Sequence, residues 1–250
     1  MINKTEAIVL KTINHGDTSR IITLYSRSSG KMKLIAKGVR SPKSKSSGLF
    51  QPTRHLQVVY YEKQQSELQL FKSGELVNGF FGLEDDFDRL TLAQVMVELL
   101  DRSTEGEEGH EAIFLLVTNS LQRMSEKKDS PANIYWQFHL HLLKELGYRP
   151  HINHCAVCGK ELKEGGSLGR SSSHLECSTC HHPNPESIFI NEDTREVIDQ
   201  ILDTPGHIDD GGLDAKERRA LWNFLWRYTF YHIEPSRGMR SLKVLNQLYY

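Results

Sequence analysis

Short stretches of alternating and β-branched residues fill the first seventy positions. Residues 6–13 (Glu-Ala-Ile-Val-Leu-Lys-Thr-Ile), 20–25 (Arg-Ile-Ile-Thr-Leu-Tyr) and 31–37 (Lys-Met-Lys-Leu-Ile-Ala-Lys) read as strands, broken by Asn-His-Gly-Asp and by Ser-Ser-Gly. Two more are expected at 55–61 and 66–71. Five short strands separated by turn formers fit a small barrel of the OB type, although the pattern alone does not show that the sheet closes. In the third strand Lys31, Lys33, Ile35 and Lys37 share one parity while Met32, Leu34 and Ala36 share the other, so three cations are expected on one face. Residues 38–48, Gly-Val-Arg-Ser-Pro-Lys-Ser-Lys-Ser-Ser-Gly, are expected to form a mobile basic loop between the third and fourth strands.

From about Leu83 the spacing becomes helical. Leu83, Phe87 and Leu90 are expected on one face and lead into Val95, Met96, Leu99 and Leu100, and a second helix is expected over 111–124. Ser130 and Pro131 fit the start of a third helix, with Gly147 as its terminator. Helices are expected again at 193–202 and 216–233, the latter opened by Asp214-Ala-Lys-Glu217, an Asp-headed capping box.

Between these helices lie the only four cysteines, as two Cys-x-x-Cys pairs: Cys155 with Cys158, and Cys177 with Cys180. A two-residue gap lets both sulfurs of a knuckle face one ion, and the intervening segment is long enough to return the second knuckle to the same point. Zinc is the expected metal, one per chain. Four thiolates complete its tetrahedron and leave no position for a reactive water, so its role would be structural. Two disulfides or simply buried thiols remain the alternatives. The expected architecture is α+β and multidomain: an N-terminal OB-type β-barrel over 1–82, then a helical domain over 83–250 with a zinc ribbon inserted at 151–186, between helices that share one core.

Net charge is −1, but it is unevenly divided: residues 1–63 hold twelve Lys and Arg against three Asp and Glu, the remainder 19 against 29. A basic lobe on a nearly neutral chain suggests a polyanionic partner, most often nucleic acid, and equally fits a solvated face. The phosphate-contact candidates are Arg20, Lys31, Lys33, Lys37, Arg40, Lys43, Lys45 and Arg54. Tyr25, Phe50, Tyr60, Tyr61 and Phe71 are stacking candidates or core residues. A second basic cluster, Lys216 to Lys243, either extends such a track or caps a buried aromatic helix.

Other chemistry is poorly represented. His174, Glu176, Cys177 and Cys180 abut, unlike the separated elements of zinc deaminases. No Gly-x-x-x-x-Gly-Lys-Ser/Thr occurs, so no P-loop NTPase machinery is visible. A non-enzymatic, cytoplasmic protein is expected: the N-terminus carries no targeting pattern and the longest apolar run, 113–117, is too short to span a bilayer.

Glu6-Ala-Ile-Val-Leu10, Gly16, Arg20-Ile-Ile-Thr-Leu24, Gly30-Lys31, Ala36-Lys-Gly-Val-Arg40 and Gly48-Leu-Phe-Gln-Pro52, followed by helices, ribbon and helices, make the chain similar to the bacterial DNA repair and recombination protein RecO family. The resemblance implies a mediator that binds single- and double-stranded DNA and anneals complementary strands. With RecR it would help load RecA onto strands coated by the single-strand-binding protein. A zinc-ribbon adaptor in transcription or translation is the alternative.

Overall fold

The computed structural model describes residues 1–42, 44, 46–63, 66–106, 109–169, 173–204 and 212–249, the last four by backbone alone. Two compact units result: Met1–Pro131 with Met239–Tyr250, and Ala132–Gly238.

The first unit is built on a closed barrel of β1 (Ile2–His15), β2 (Ser19–Ser26), β3 (Gly30–Ala36), β4 (His55–Tyr61) and β5 (Leu68–Asn78), in the order β1-β2-β3-β5-β4. Neighbouring strands are antiparallel except β3 and β5, whose parallel pairing of Lys33–Ile35 with Leu68–Leu70 joins the two halves of the sheet. This is the OB arrangement. Ala7, Val9, Ile22, Leu24, Leu34, Leu56 and Val58 fill the interior, and the expected parity of β3 holds, with Met32, Leu34 and Ala36 turned inward. Of the five stacking candidates, Tyr25, Phe50 and Tyr60 are buried, Phe71 packs edge-on against Phe50, and Tyr61 is exposed.

Helices α1 (Phe87–Ser103), α2 (Glu111–Glu126) and α6 (Arg240–Tyr249) complete this unit. Asp86 caps α1 by accepting from the Arg89 N–H at 3.1 Å. Helix α6 is capped from afar: the Glu98 carboxylate of α1 accepts from the N–H groups of Arg240 and Ser241 and from the Ser241 hydroxyl. An anion there satisfies orphan donors and complements the helix dipole. The texture change at residue 83 therefore marks where strands give way to helices, whereas the seam between compact units falls after Pro131.

The second unit joins α3 (Pro131–Glu145), α4 (Glu192–Asp203) and α5 (Ala215–His232) to a three-stranded sheet of β6 (Gly166–Leu168), β7 (Leu175–Glu176) and β8 (Ile188–Ile190), ordered β7-β6-β8. The helices on either side of the ribbon do share a core here, but α1 and α2 belong to the other unit. Gly147 ends the α3 segment at φ +82°, and Asp214 with Glu217 forms the full capping box of α5. At Gly165 a Cβ would lie 2.1 Å from the Ile190 carbonyl, so only glycine lets β6 approach β8. Trp222, Phe224, Leu225, Trp226 and Tyr228 bury the aromatic side of α5. Among the described residues no helix is long and apolar enough to cross a membrane.

His139 lies at the centre of this core, fully buried, within hydrogen-bond reach of the Tyr135 hydroxyl (3.1 Å) and of Thr229 Oγ1 (2.7 Å). Burial holds its imidazole neutral, with a pKa lowered to about 3. Because the folded value lies below the unfolded one, near ~6.5, its contribution to stability is complete above that pH and is lost as pH falls towards the folded value. Stability of the parent should therefore decline more steeply between about pH 6.5 and 4 than that of a His139→Gln variant. Parallel urea-midpoint profiles would contradict this.

Candidate nucleic-acid interface and metal centre

The candidate cations separate into two groups. Asp101 of α1, only 5% exposed, lies 2.8 Å from Lys11 Nζ and 2.9 Å from Lys31 Nζ. Lys31 also donates to the main-chain carbonyls of Asp101 and Thr104. Burial alone would raise the Asp101 pKa, but the hydrogen bonds and charges of the two lysines outweigh it and hold the carboxyl below its ordinary value. Arg27 pairs with Glu111 at the start of α2. Arg54, 7% exposed, donates to the Gly79 carbonyl, to Gln51 Oε1 at 3.1 Å and to Glu84 Oε1 at 2.5 Å, and stacks on Phe81 4.4 Å from the ring centre. Lys31 is thus committed to holding the barrel to α1, and Arg54 to the segment 79–84 that leads into it.

Arg20, Lys37 and Arg40 gather instead at the other end of β2 and β3. Arg20 pairs with Ala36 in register and donates to the Ser47 carbonyl at 3.1 Å; Arg40 is exposed and donates to the Gly16 carbonyl at 3.1 Å. These bonds fold the two arginines over the barrel end, and among the described residues no carboxylate forms an ion pair with either. Lys37 is exposed, and Lys33 is half-exposed, 3.6 Å from the solvent-facing Glu67. Such a surface pair contributes little and yields readily to a phosphate. Lys43 and Lys45 lie outside the described residues.

In the second unit the four cysteine sulfurs all lie within 4.8 Å of one another. Cys158 and Cys177 are 3.8 Å apart, matching the edge of about 3.8 Å of a tetrahedron with metal–sulfur bonds of about 2.3 Å. The knuckles are preorganised for anionic sulfur: hydrogen bonds from main-chain N–H groups, first that of Cys177 and then those of Cys158 and Val157, bring Cys155 down to about 6. The other sulfurs push Cys180 up to about 12. Four thiols this close ionise together only around a cation, and this donor set fits one. His181 turns away from the sulfurs, with Nδ1 3.2 Å from Glu176 and Nε2 2.7 Å from Ser187 Oγ, and braces the second knuckle.

The family pattern described as Recombination protein O N terminal matches residues 1–80, and that described as Recombination protein O C terminal matches 84–241. The chain belongs to the recombination protein O family. Relatives named DNA repair protein RecO span nearly its whole length. That of Pelodictyon phaeoclathratiforme is 28% identical over 258 residues, covering 99% of each chain. Those of Chlorobium phaeobacteroides and Exiguobacterium sibiricum are 33% identical over 264 residues and 31% over 252, covering 98% or more of each chain.

In this RecO-family chain the helix-side anchors Lys11, Arg27 and Glu98 escape sequence inspection because their partners lie 84 to 142 residues away. The division of the cations has a direct test. Arg54→Met loses hydrogen bonds and the ring contact and leaves the Gly79 carbonyl short of a donor, so it should destabilise by about 2 kcal/mol. Lys31→Met should likewise lower the urea midpoint, whereas Lys37→Met should stay within about 0.5 kcal/mol of the parent. Equal effects at all three would erase the distinction.

Proposed function

We propose that this chain acts in DNA repair and recombination as a non-enzymatic mediator. It binds single- and double-stranded DNA, anneals complementary strands and, with RecR, helps load RecA onto strands coated by the single-strand-binding protein. Membership of the family supports the repair role. The observation that carries the DNA contact is the group of cations at one barrel end, Arg20, Lys37 and Arg40 with Lys33 beside them, which among the described residues pair with no buried carboxylate. Such a group releases counterions from phosphates without reading sequence. Holding two strands on one molecule raises their local concentration and screens their repulsion, so pairing accelerates with no covalent step and no nucleotide.

The four-sulfur centre holds one zinc in this reading. Cys155, Cys158, Cys177 and Cys180 would complete its coordination, and the ion would supply cross-linking of the ribbon rather than reaction chemistry. Metal analysis of the purified protein should return one zinc per chain, abolished by a Cys155→Ser, Cys177→Ser variant.

If about six cations meet phosphates, log affinity for single strands should fall with log salt at a slope of about −4. Lys33→Glu, Lys37→Glu, Arg40→Glu should weaken binding and flatten the slope. The full chain should also anneal strands coated by its host's single-strand-binding protein without ATP. Annealing of naked strands that stalls on coated ones would leave a generic basic protein and overturn the mediator reading.

A further inference from the structure

Closure of the barrel lines up side chains that are far apart in sequence. Following paired residues around the sheet, Ile13 of β1 faces Ile21 of β2, Ile21 faces Ile35 of β3, and Ile35 faces Leu70 of β5. Leu70 faces Tyr61 of β4, and Tyr61 faces Ile2 at the other end of β1. All six lie on the outer parity or on the projecting end of β1, opposite to the residues that fill the core. They form one apolar row that winds once around the barrel. Ile13, Tyr61 and Ile2 are 57%, 40% and 52% exposed, and the other three are half-buried. At a strand spacing of about 4.8 Å the path is about 24 Å long.

Lysines flank the row. In register, exposed Lys4 lies opposite Val59 on one side, together with Lys72, whose ammonium stands 5.6 Å from the centre of the Tyr61 ring, and Lys37 beyond Ile35. Lys33, opposite Leu68, lies on the other side, and Lys63 continues β4 past Tyr61 there. Glu62, accepting from Asn3, and the solvent-facing Glu67 lie nearby, and Asp17 sits in the turn four residues beyond Ile13. Near the Ile13 end of the row, Ile21 adjoins Arg20, and so the row meets the cationic barrel end already described.

We propose that this row is a track for the unpaired bases of single-stranded nucleic acid, with the flanking lysines holding its phosphates. An apolar centre between cationic margins suits a strand whose bases are turned to the protein; a duplex presents phosphates and keeps its bases stacked inside. The length suits a few nucleotides, at the lower end of the ~4–16 that an OB barrel takes. The inference rests on the DNA-binding reading and names the surface that would separate single strands from duplex.

The test uses the full chain, a fluorescein-labelled oligo-dT and a labelled hairpin duplex, with affinity read by anisotropy across a salt series. An Ile2→Ser, Tyr61→Ala variant should bind oligo-dT about tenfold more weakly, since a base–aromatic contact has roughly that effect. Its duplex affinity and salt slope should be unchanged, and Tyr61→Phe should bind as the parent does. Oligo-dT binding that survives the double variant, while Lys37→Glu, Arg40→Glu weakens it, would overturn the track and leave the DNA-binding reading standing. Equal losses on oligo and duplex would also overturn it. A parent that binds neither probe at low salt would remove both. Should the double variant fail to fold, bromodeoxyuridine crosslinking to the parent decides: adducts at Tyr61 support the track, and adducts confined to residues 132–238 refute it.

Discussion

The parallel pairing of β3 with β5 is the constraint from which the rest of the first unit follows. Once that pair closes the sheet, every strand has a neighbour on both sides over part of its length, and alternate side chains are assigned irrevocably to the inside or the outside. The interior takes one parity and fills with aliphatic residues. The outside must then be covered by helices or face water. Under the helices, outward cations need carboxylates, and Asp101 supplies one to Lys11 and Lys31 while Glu84 meets Arg54. A buried carboxylate without those lysines would be costly, and the lysines reach it from the rim of the barrel, which ties the two layers together. Where no helix covers the barrel, the same parity leaves Lys33, Lys37 and the apolar row turned to solvent.

The second unit solves a different problem. Its ribbon has strands of two and three residues, too short to hold a sheet by themselves. The Gly165 contact with β8 and the brace of Glu176, His181 and Ser187 supply part of what a hydrophobic core of that size does not, and the sulfur cluster is placed to add a metal cross-link. The helices that flank the ribbon pack around a neutral imidazole and three tryptophan or tyrosine rings, a core stable to solvent but sensitive to protonation.

Much of this was legible in the chain because the signals were local. Alternation located the strands, the Asp214–Glu217 box and Pro131 located helix starts, and Cys-x-x-Cys spacing located the sulfur cluster. What escaped was set by distant partners. The second half of β5, Ser73-Gly-Glu-Leu-Val-Asn78, has little strand character of its own and is held extended by pairing with β4. Helix α6 carries Arg240 and Lys243 and reads as a basic cluster, yet it exists as a helix through Leu242 and Leu245 in the core and a cap from Glu98, 142 residues upstream. Lys31 and Arg54 look like any other cation of the basic lobe until Asp101 and Glu84 are placed beside them. Sequence finds a charge; only the fold shows whether it is already occupied.

The central claim is that the barrel divides its cations between an internal set that holds helices and an external set that holds a nucleic-acid strand. Amide hydrogen exchange of the full chain, with and without a saturating oligo-dT at low salt, tests it most directly. Binding should slow exchange at residues 19–21, 35–40 and 61–72 and leave 27–31 and 87–103 unchanged. Protection confined to 87–103, or to residues 132–238, would contradict it.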